Sequence, residues 1–140
     1  MYEHIAIHKD RNIAGCKMEK SYKKSLKPRL KLWLCSERSQ DSFGDGKWHL
    51  LAAIEKTESL KLTCELLGIS YRKAWGDLKK AEQCLDVPLV TRSRGGKTHG
   101  QSTLTEQGKC WLKAYSEFHQ YVENALESAY RKYLETFERK

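Results

Sequence analysis

The chain has 140 residues, of which 39% are hydrophobic and 31% charged, and its net charge is +8. This length suits one domain with a sizeable core, and the composition excludes a membrane-embedded or plainly disordered protein. The five cysteines follow neither a disulfide framework nor a paired zinc-ligand pattern. We therefore predict a reduced, cytoplasmic protein with no cofactor and no metal site.

The excess of positive charge is concentrated in residues 1–27 and 70–105, while the other segments are balanced. A basic patch beside a neutral scaffold favours a polyanionic partner. Residues 1–27 show no sustained periodicity, and we predict a basic flexible tail there. Two roles stay open for this tail. It is an arm that grips DNA, or it is untranslated in the native protein, for which Met18 is an alternative start that leaves out residues 1–17.

Residues 28–104 are predicted to form the main domain. It begins with a strand over Pro28–Cys35, in which three leucines alternate on one face. A polar loop follows, and a short amphipathic helix then runs to about Lys56.

The next segment carries the most information. Ser59 is predicted to cap a helix whose buried residues are Leu60, Thr63, Cys64, Leu66 and Leu67. Gly68 ends that helix in a left-handed conformation, and Ser70 caps the following helix. The second helix has a basic outer side and a buried stripe of Ala74, Leu78, Ala81 and Leu85. This arrangement is typical of a helix-turn-helix.

A β-hairpin follows, with strands at Leu89–Ser93 and Ser102–Leu104 and a basic, glycine-rich tip. It predicts the wing of a winged helix. Thr105 caps a last helix within residues 105–140, whose apolar stripe is Trp111, Tyr115, Phe118, Val122, Ala125 and Ala129. Such a helix is roughly 45 Å long, more than a domain of this size covers. We therefore predict a homodimer that pairs through this stripe.

The predicted fold class is α+β, mainly α: a winged helix-turn-helix with a small antiparallel sheet and a long carboxy-terminal dimerisation helix. Four motifs carry a family resemblance: Gly68–Trp75 (GISYRKAW), Pro88–Val90, Gly95–Lys97 and Leu104–Gly108 (LTEQG). Together they resemble the ModE family of molybdate-responsive prokaryotic transcription regulators, in its amino-terminal LysR-type domain. Full-length members carry carboxy-terminal oxyanion-binding repeats. This chain ends at Lys140, so the expectation is a regulator without that sensor.

The resemblance implies that the helix from Ser70 enters the major groove of double-stranded DNA and that the wing reaches the neighbouring backbone or minor groove. The residues predicted to contact DNA are Ser70, Tyr71, Arg72, Lys73, Lys79, Arg92, Arg94, Gly95, Gly96 and Lys97. Tyr71 has a second interpretation, in which it packs under the wing. The operator, the direction of regulation and any small-molecule effector stay undetermined, and no membrane partner is expected.

Other functions find less support in the sequence. Gly96-Lys97-Thr98 mimics the end of a phosphate-binding loop, but the glycine required five residues earlier is Thr91, so nucleotide binding is rejected. No thiol has an adjacent base and no pair of carboxylates stands out, so we predict no enzyme. Two alternatives remain: a winged-helix protein-assembly module that uses the long helix, and a regulator that binds an oxyanion or metal at its dimer interface.

Overall fold

The computed structural model describes residues 26–38, 40–93 and 100–134. Its elements, in chain order, are β1 (Trp33–Cys35), β2 (Ser42–Gly44), α1 (Asp45–Thr57), α2 (Leu60–Leu67), α3 (Tyr71–Leu85), β3 (Val90–Ser93), β4 (Gln101–Leu104) and α4 (Glu106–Tyr133). The predicted fold class is confirmed: a mainly helical winged helix with two small antiparallel sheets. No helix within the described ranges combines the length and the apolar character needed to cross a membrane.

The core lies between α1, α2, α3 and the first half of α4. Its largest buried side chains are Tyr115, Phe43, Leu50, Leu51, Ile54, Leu60, Leu78 and Leu89, each less than 2% exposed. Burying an aliphatic or aromatic side chain of this size contributes about 1.5–3 kcal/mol, so this cluster supplies the main driving force for folding.

The first hairpin differs from the prediction. The strand expected over Pro28–Cys35 is reduced to β1, which pairs antiparallel with β2 and sets Leu34 opposite Phe43. β2 was not predicted, because Phe43 is the lone apolar residue of a polar run. Phe43 is nevertheless completely buried. A Cβ on Gly44 would lie 3.0 Å from the Trp33 Cβ, so glycine permits this close pairing.

The buried face of α2 is narrower than predicted. Leu60, Thr63 and Cys64 are buried as expected, and burial raises the pKa of the Cys64 thiol. The prediction was wrong for Leu66 and Leu67, which are 58% and 36% exposed. Leu66 lies about 120° around the helix axis from Leu60, since residues six apart are not on one face.

The long helix α4 begins at the predicted cap. Thr105 Oγ1 accepts a hydrogen bond from the Gly108 amide at 2.9 Å and donates one to the Pro88 carbonyl at 2.7 Å. A Cβ on Gly108 would lie 2.3 Å from the Leu89 carbonyl oxygen, so the helix passes this close only with glycine there. The start of α4 is thereby joined to the segment that leads into β3.

Candidate nucleic-acid interface

The turn between α2 and α3 is held by two serine caps and one glycine. Ser59 Oγ accepts a hydrogen bond from the Leu62 amide at 3.3 Å, and Ser70 Oγ accepts one from the Lys73 amide at 3.1 Å. Gly68 has a φ of 64°, a left-handed conformation that suits a residue without a Cβ. The predicted helix-turn-helix is confirmed, and its turn fixes the direction in which α3 leaves the core.

α3 presents distinct faces, because residues three, four or seven apart share a side of a helix. Its core face consists of Ala74, Leu78 and Ala81, all buried. The opposite side, which we call the outer face, consists of Arg72, Gly76, Lys79 and Lys80, all exposed. Among the described residues, no carboxylate lies within 4.0 Å of the charged nitrogens of Arg72 or Lys79. The outer face is therefore an exposed surface whose basic groups are not neutralised by neighbouring carboxylates.

One side of α3 contacts the wing strand. The Arg92 guanidinium carbon lies 3.0 Å from the centroid of the Trp75 ring, and Arg92 Nη2 donates a hydrogen bond to Tyr71 Oη at 3.0 Å. The Tyr71 and Trp75 rings meet edge to face at 6.3 Å. Tyr71 thus packs against the wing, in agreement with one of its two interpretations, and the residue is still 50% exposed.

The side of α3 that faces away from the wing strand carries an ion pair. Lys73 Nζ lies 2.9 Å from Asp77 Oδ2, and the two side chains are 59% and 28% exposed. An exposed pair one helical turn apart contributes only about 0.3–0.5 kcal/mol, so a phosphate can compete for this lysine at small cost. Ser70 also lies at this end of α3, where its hydroxyl caps the helix while the residue stays exposed.

The base of the wing is fixed to the domain by side chains that the sequence analysis did not single out. Glu82 Oε1 accepts hydrogen bonds from the Leu89 and Val90 amides at 2.8 and 3.3 Å. Gln101 Nε2 donates to Glu58 Oε2 at 2.9 Å. In the sequence both carboxylates resemble ordinary surface charges, because their partners lie 7 to 43 positions away. Glu82 of α3 thereby fixes the start of β3, and Glu58, which ends α1, fixes β4.

The tip of the wing lies outside the described residues. This applies to Arg94, Gly95, Gly96 and Lys97, four of the predicted DNA contacts. Of the predicted wing contacts, the structure describes Arg92 alone, and it brings this residue against the first turns of α3. The structure thus gathers Ser70, Tyr71, Arg72, Lys73 and Arg92 at one end of α3, with Lys79 two turns further along.

The predicted pairing stripe of α4 divides into two parts. Tyr115 is 1% exposed and lies in the core of the single chain, and half-buried Trp111 packs against Phe43 at 5.4 Å between ring centroids. Tyr115 thus has no surface free to pair with a second copy. The outer part is Phe118, Val122, Ala125 and Ala129, where Phe118 is 41% exposed and both alanines are exposed. Exposed Tyr121, 75% accessible, was missed because it falls off the stripe.

A polar cluster joins α4 to the start of α1. The Tyr115 hydroxyl lies 3.1 Å from both the Leu32 carbonyl oxygen and Asp45 Oδ1, so its proton is shared between two acceptors. Burial, followed by the hydrogen bond to Asp45, raises the pKa of Tyr115. His119 Nε2 lies 3.3 Å from the same Asp45 oxygen, and the ring of His119 packs on Trp48. Within the described ranges, no three potential metal ligands lie close enough together to hold an ion.

Comparison with known proteins agrees with this geometry. The family of bacterial regulatory helix-turn-helix proteins of the lysR family matches residues 46–109, which run from the start of α1 to the start of α4. The molybdenum-pterin-binding protein MopB of Rhodobacter capsulatus is 33% identical over 103 residues, 74% of this chain and 35% of MopB.

Two further relatives are named ModE. The DNA-binding transcriptional dual regulator ModE of Escherichia coli (strain K12) is 31% identical over 78 residues, 56% of this chain and 30% of that protein. The molybdenum transport protein ModE of Azotobacter vinelandii is 28% identical over 86 residues, 61% of this chain and 32% of that protein. The chain therefore matches about a third of the length of these relatives.

Proposed function

From the match of residues 46–109 to the bacterial regulatory helix-turn-helix proteins of the lysR family, and from the similarity to ModE-like proteins, we propose that the protein is a sequence-reading transcription regulator. It binds double-stranded DNA as a homodimer. α3 lies in the major groove as the recognition helix, and the wing lies over the adjacent backbone.

The observation that carries this proposal is the outer face of α3. Arg72 stands in the first turn after the Ser70 cap, where recognition helices meet base edges, and it is exposed. Arginine makes two parallel hydrogen bonds to the O6 and N7 atoms of guanine, which is the commonest specific contact in the major groove. We therefore assign base reading to Arg72 and phosphate contacts to Lys73, Lys79 and Arg92.

The outer part of the α4 stripe supports the dimer. α4 has 28 residues, which corresponds to roughly 42 Å of helix. Beyond Tyr115 its side chains leave the core, and Phe118, Val122, Ala125 and Ala129 follow one another on one side at spacings of three or four. A second copy of the same stripe is the simplest apolar surface that covers it. The two copies of α3 then address half-sites about one turn of DNA apart, or a multiple of it.

The salt dependence of binding tests the electrostatic part. If the dimer makes about 8 phosphate contacts, the slope of log K against log salt concentration is near −7, at ~0.9 per phosphate. The experiment measures binding of the full chain to a fluorescent duplex over a series of salt concentrations. A slope shallower than about −2 contradicts the proposal, since it leaves room for only ~2 phosphate contacts.

The relatives' names also identify the first effector to test. MopB is named as molybdenum-pterin-binding, so molybdate is the first oxyanion to test for the alternative in which the regulator binds an oxyanion at its dimer interface. Molybdate at 100 times its dissociation constant stabilises the native state by about 2.7 kcal/mol, which thermal unfolding detects. Unfolding curves that coincide with and without molybdate remove the oxyanion from the proposal and leave DNA binding intact.

A further inference from the structure

A cavity of about 430 Å³ lies beside α3, on the side away from the wing. The first hairpin and the first turn of α1 form its walls, together with Lys73 and Asp77 of α3. Of its lining residues, Lys73 alone was predicted from the sequence to have a function. Because the cavity lies next to α3, DNA bound to the outer face of α3 also lies near the cavity.

The cavity and the wing lie on opposite sides of the outer face. Tyr71 and Trp75 contact Arg92 of the wing strand, whereas Lys73 and Asp77 border the cavity. Positions two apart in a helix are separated by about 200° around its axis. The outer face of α3 is therefore flanked by the wing on one side and by the first hairpin on the other.

The charges in the cavity are unevenly paired. Both of its carboxylates already have partners. Asp77 forms an ion pair with Lys73, and Asp45 accepts a hydrogen bond from the Tyr115 hydroxyl and contacts His119. Lys47 Nζ donates to the neutral Ser42 carbonyl oxygen. Lys31 is exposed, with no carboxylate within 4.0 Å of its ammonium group among the described residues. Two ammonium groups in the cavity thus lack a carboxylate partner within the part of the chain that the structure describes.

The alternation of side chains at the start of β1 leaves Lys31 and Trp33 accessible to a ligand. Lys31 and Trp33 alternate with half-buried Leu32 and Leu34, so the first two point away from the core and the second two pack against it. Trp33 is 53% exposed and lines the cavity beside Lys31. A lysine and an exposed aromatic ring on the same side of this segment, at the start of β1, are suited to contact a sugar-phosphate backbone.

A helix in the major groove has one phosphate backbone on each side, since the groove is about 12 Å wide and the helix fills it. We propose that Lys31 and Lys47 bind a phosphate of the DNA strand opposite to the strand that the wing contacts. This inference rests on the proposed function. It makes the first hairpin a second clamp on the DNA, so that α3 is held in the groove from both sides.

The test replaces single phosphates of a bound duplex by uncharged methylphosphonates, first along one strand and then along the other. The proteins are the wild type, Arg92→Gln, the double variant Lys31→Gln/Lys47→Gln, and Lys113→Gln as a control for the loss of an exposed lysine on α4. Glutamine keeps most of each side chain's stem, and circular dichroism verifies that every variant folds.

We expect two phosphates in each half-site, on opposite strands, whose neutralisation weakens binding by the wild type. The double variant is insensitive at one of them, and Arg92→Gln is insensitive at the other. In a dimer, loss of this phosphate contact from both subunits also flattens the salt slope by about 1.8. If the double variant has the same salt slope and the same sensitivity to each phosphate as the control Lys113→Gln, the clamp is overturned and the proposed function stands. Absence of duplex binding by the wild type itself overturns both.

Discussion

Arg92 covers the ring of Trp75, with 3.0 Å between the guanidinium carbon and the ring centroid, so the wing strand and the recognition helix are in direct contact. A cation–π contact of this kind contributes about 0.5–2 kcal/mol, depending on how far it is shielded from water. The same guanidinium donates a hydrogen bond to Tyr71. These contacts hold Arg92 in one orientation, and in the proposed DNA complex this preorganisation lowers the entropic cost of binding.

Replacement of Trp75 tests whether this preorganisation matters. Trp75→Leu removes the ring that carries Arg92, and we expect duplex affinity to fall about fivefold, the equivalent of ~1 kcal/mol. Trp75→Phe keeps an aromatic face and is expected to stay within about twofold of wild type. Affinity is measured by fluorescence anisotropy at fixed salt. Equal losses in both variants contradict a role for the stacked ring.

Gly76 lies in the interior of α3, exposed, and a Cβ added there would have no atom within 4 Å. Glycine at an exposed interior position of a helix costs about 1 kcal/mol relative to alanine, so Gly76→Ala is expected to raise the free energy of unfolding by that amount. Because Gly76 belongs to the outer face, the added methyl group is expected to weaken DNA binding. Urea unfolding and duplex titration measure the two effects, and a variant that gains both stability and affinity contradicts this role of the glycine.

At Gly108, in α4, replacement of glycine by alanine is expected to have the opposite effect on stability. Its Cβ would meet the Leu89 carbonyl oxygen at 2.3 Å, and backbone atoms yield little. Gly108→Ala is therefore expected to destabilise the fold by about 1–3 kcal/mol despite the higher helix propensity of alanine. The same urea unfolding series measures it beside Gly76→Ala. Stabilisation by both substitutions shows that α4 does not pass this close to the segment before β3.

The dimer prediction concerns the outer part of the α4 stripe. Phe118→Glu and Val122→Glu each place a carboxylate on that stripe, and burial of an unpaired charge in the interface is expected to shift the protein to monomer. Gln120→Glu adds the same group on the opposite side of the helix and is expected to leave the dimer intact. Sedimentation velocity gives the mass of each species. A wild-type monomer, or dimers in all variants, contradicts pairing through this stripe.

Tyr115 predicts a dependence of stability on alkaline pH. Its pKa is raised in the folded chain by burial and by the hydrogen bond to Asp45, so the native state holds the proton more tightly than the unfolded chain. Stability from this group is complete below pH 10, the ordinary tyrosine pKa, and declines as pH rises above it. Tyr115→Phe is expected to be less stable at neutral pH, with a smaller loss between neutral and alkaline pH. An unchanged alkaline slope contradicts this assignment.

Local signals in the sequence predicted the parts of the fold that depend on neighbouring residues. Ser59, Ser70 and Thr105 act as caps, and Gly68 takes the left-handed conformation, because each of these roles is decided within a few positions. The missed parts depend on distant partners. Phe43 is buried by contact with rings of α4.

In the candidate site, too, the features decided by neighbouring residues were predicted and those decided by distant residues were not. Arg72 and Lys73 follow directly from the cap at Ser70, and the structure places them at the exposed start of α3. The contact of Arg92 with Trp75 joins residues 17 positions apart, and the cavity beside Lys73 is formed by a hairpin more than 25 positions earlier in the chain. Both relationships join residues that are far apart in the chain, so no periodic pattern of neighbouring residues predicts them.

The most direct test of the central claim is a selection of bound sequences from random duplex DNA, run in parallel on the wild type, Arg72→Ala and Lys113→Ala. The proposed function predicts that the wild type and Lys113→Ala enrich the same palindromic site, and that Arg72→Ala loses preference at one position of each half-site, with a cost of about 1–3 kcal/mol. Enrichment of the same site with the same strength by all three proteins contradicts base reading by α3, and absence of binding by the wild type contradicts the proposed function as a whole.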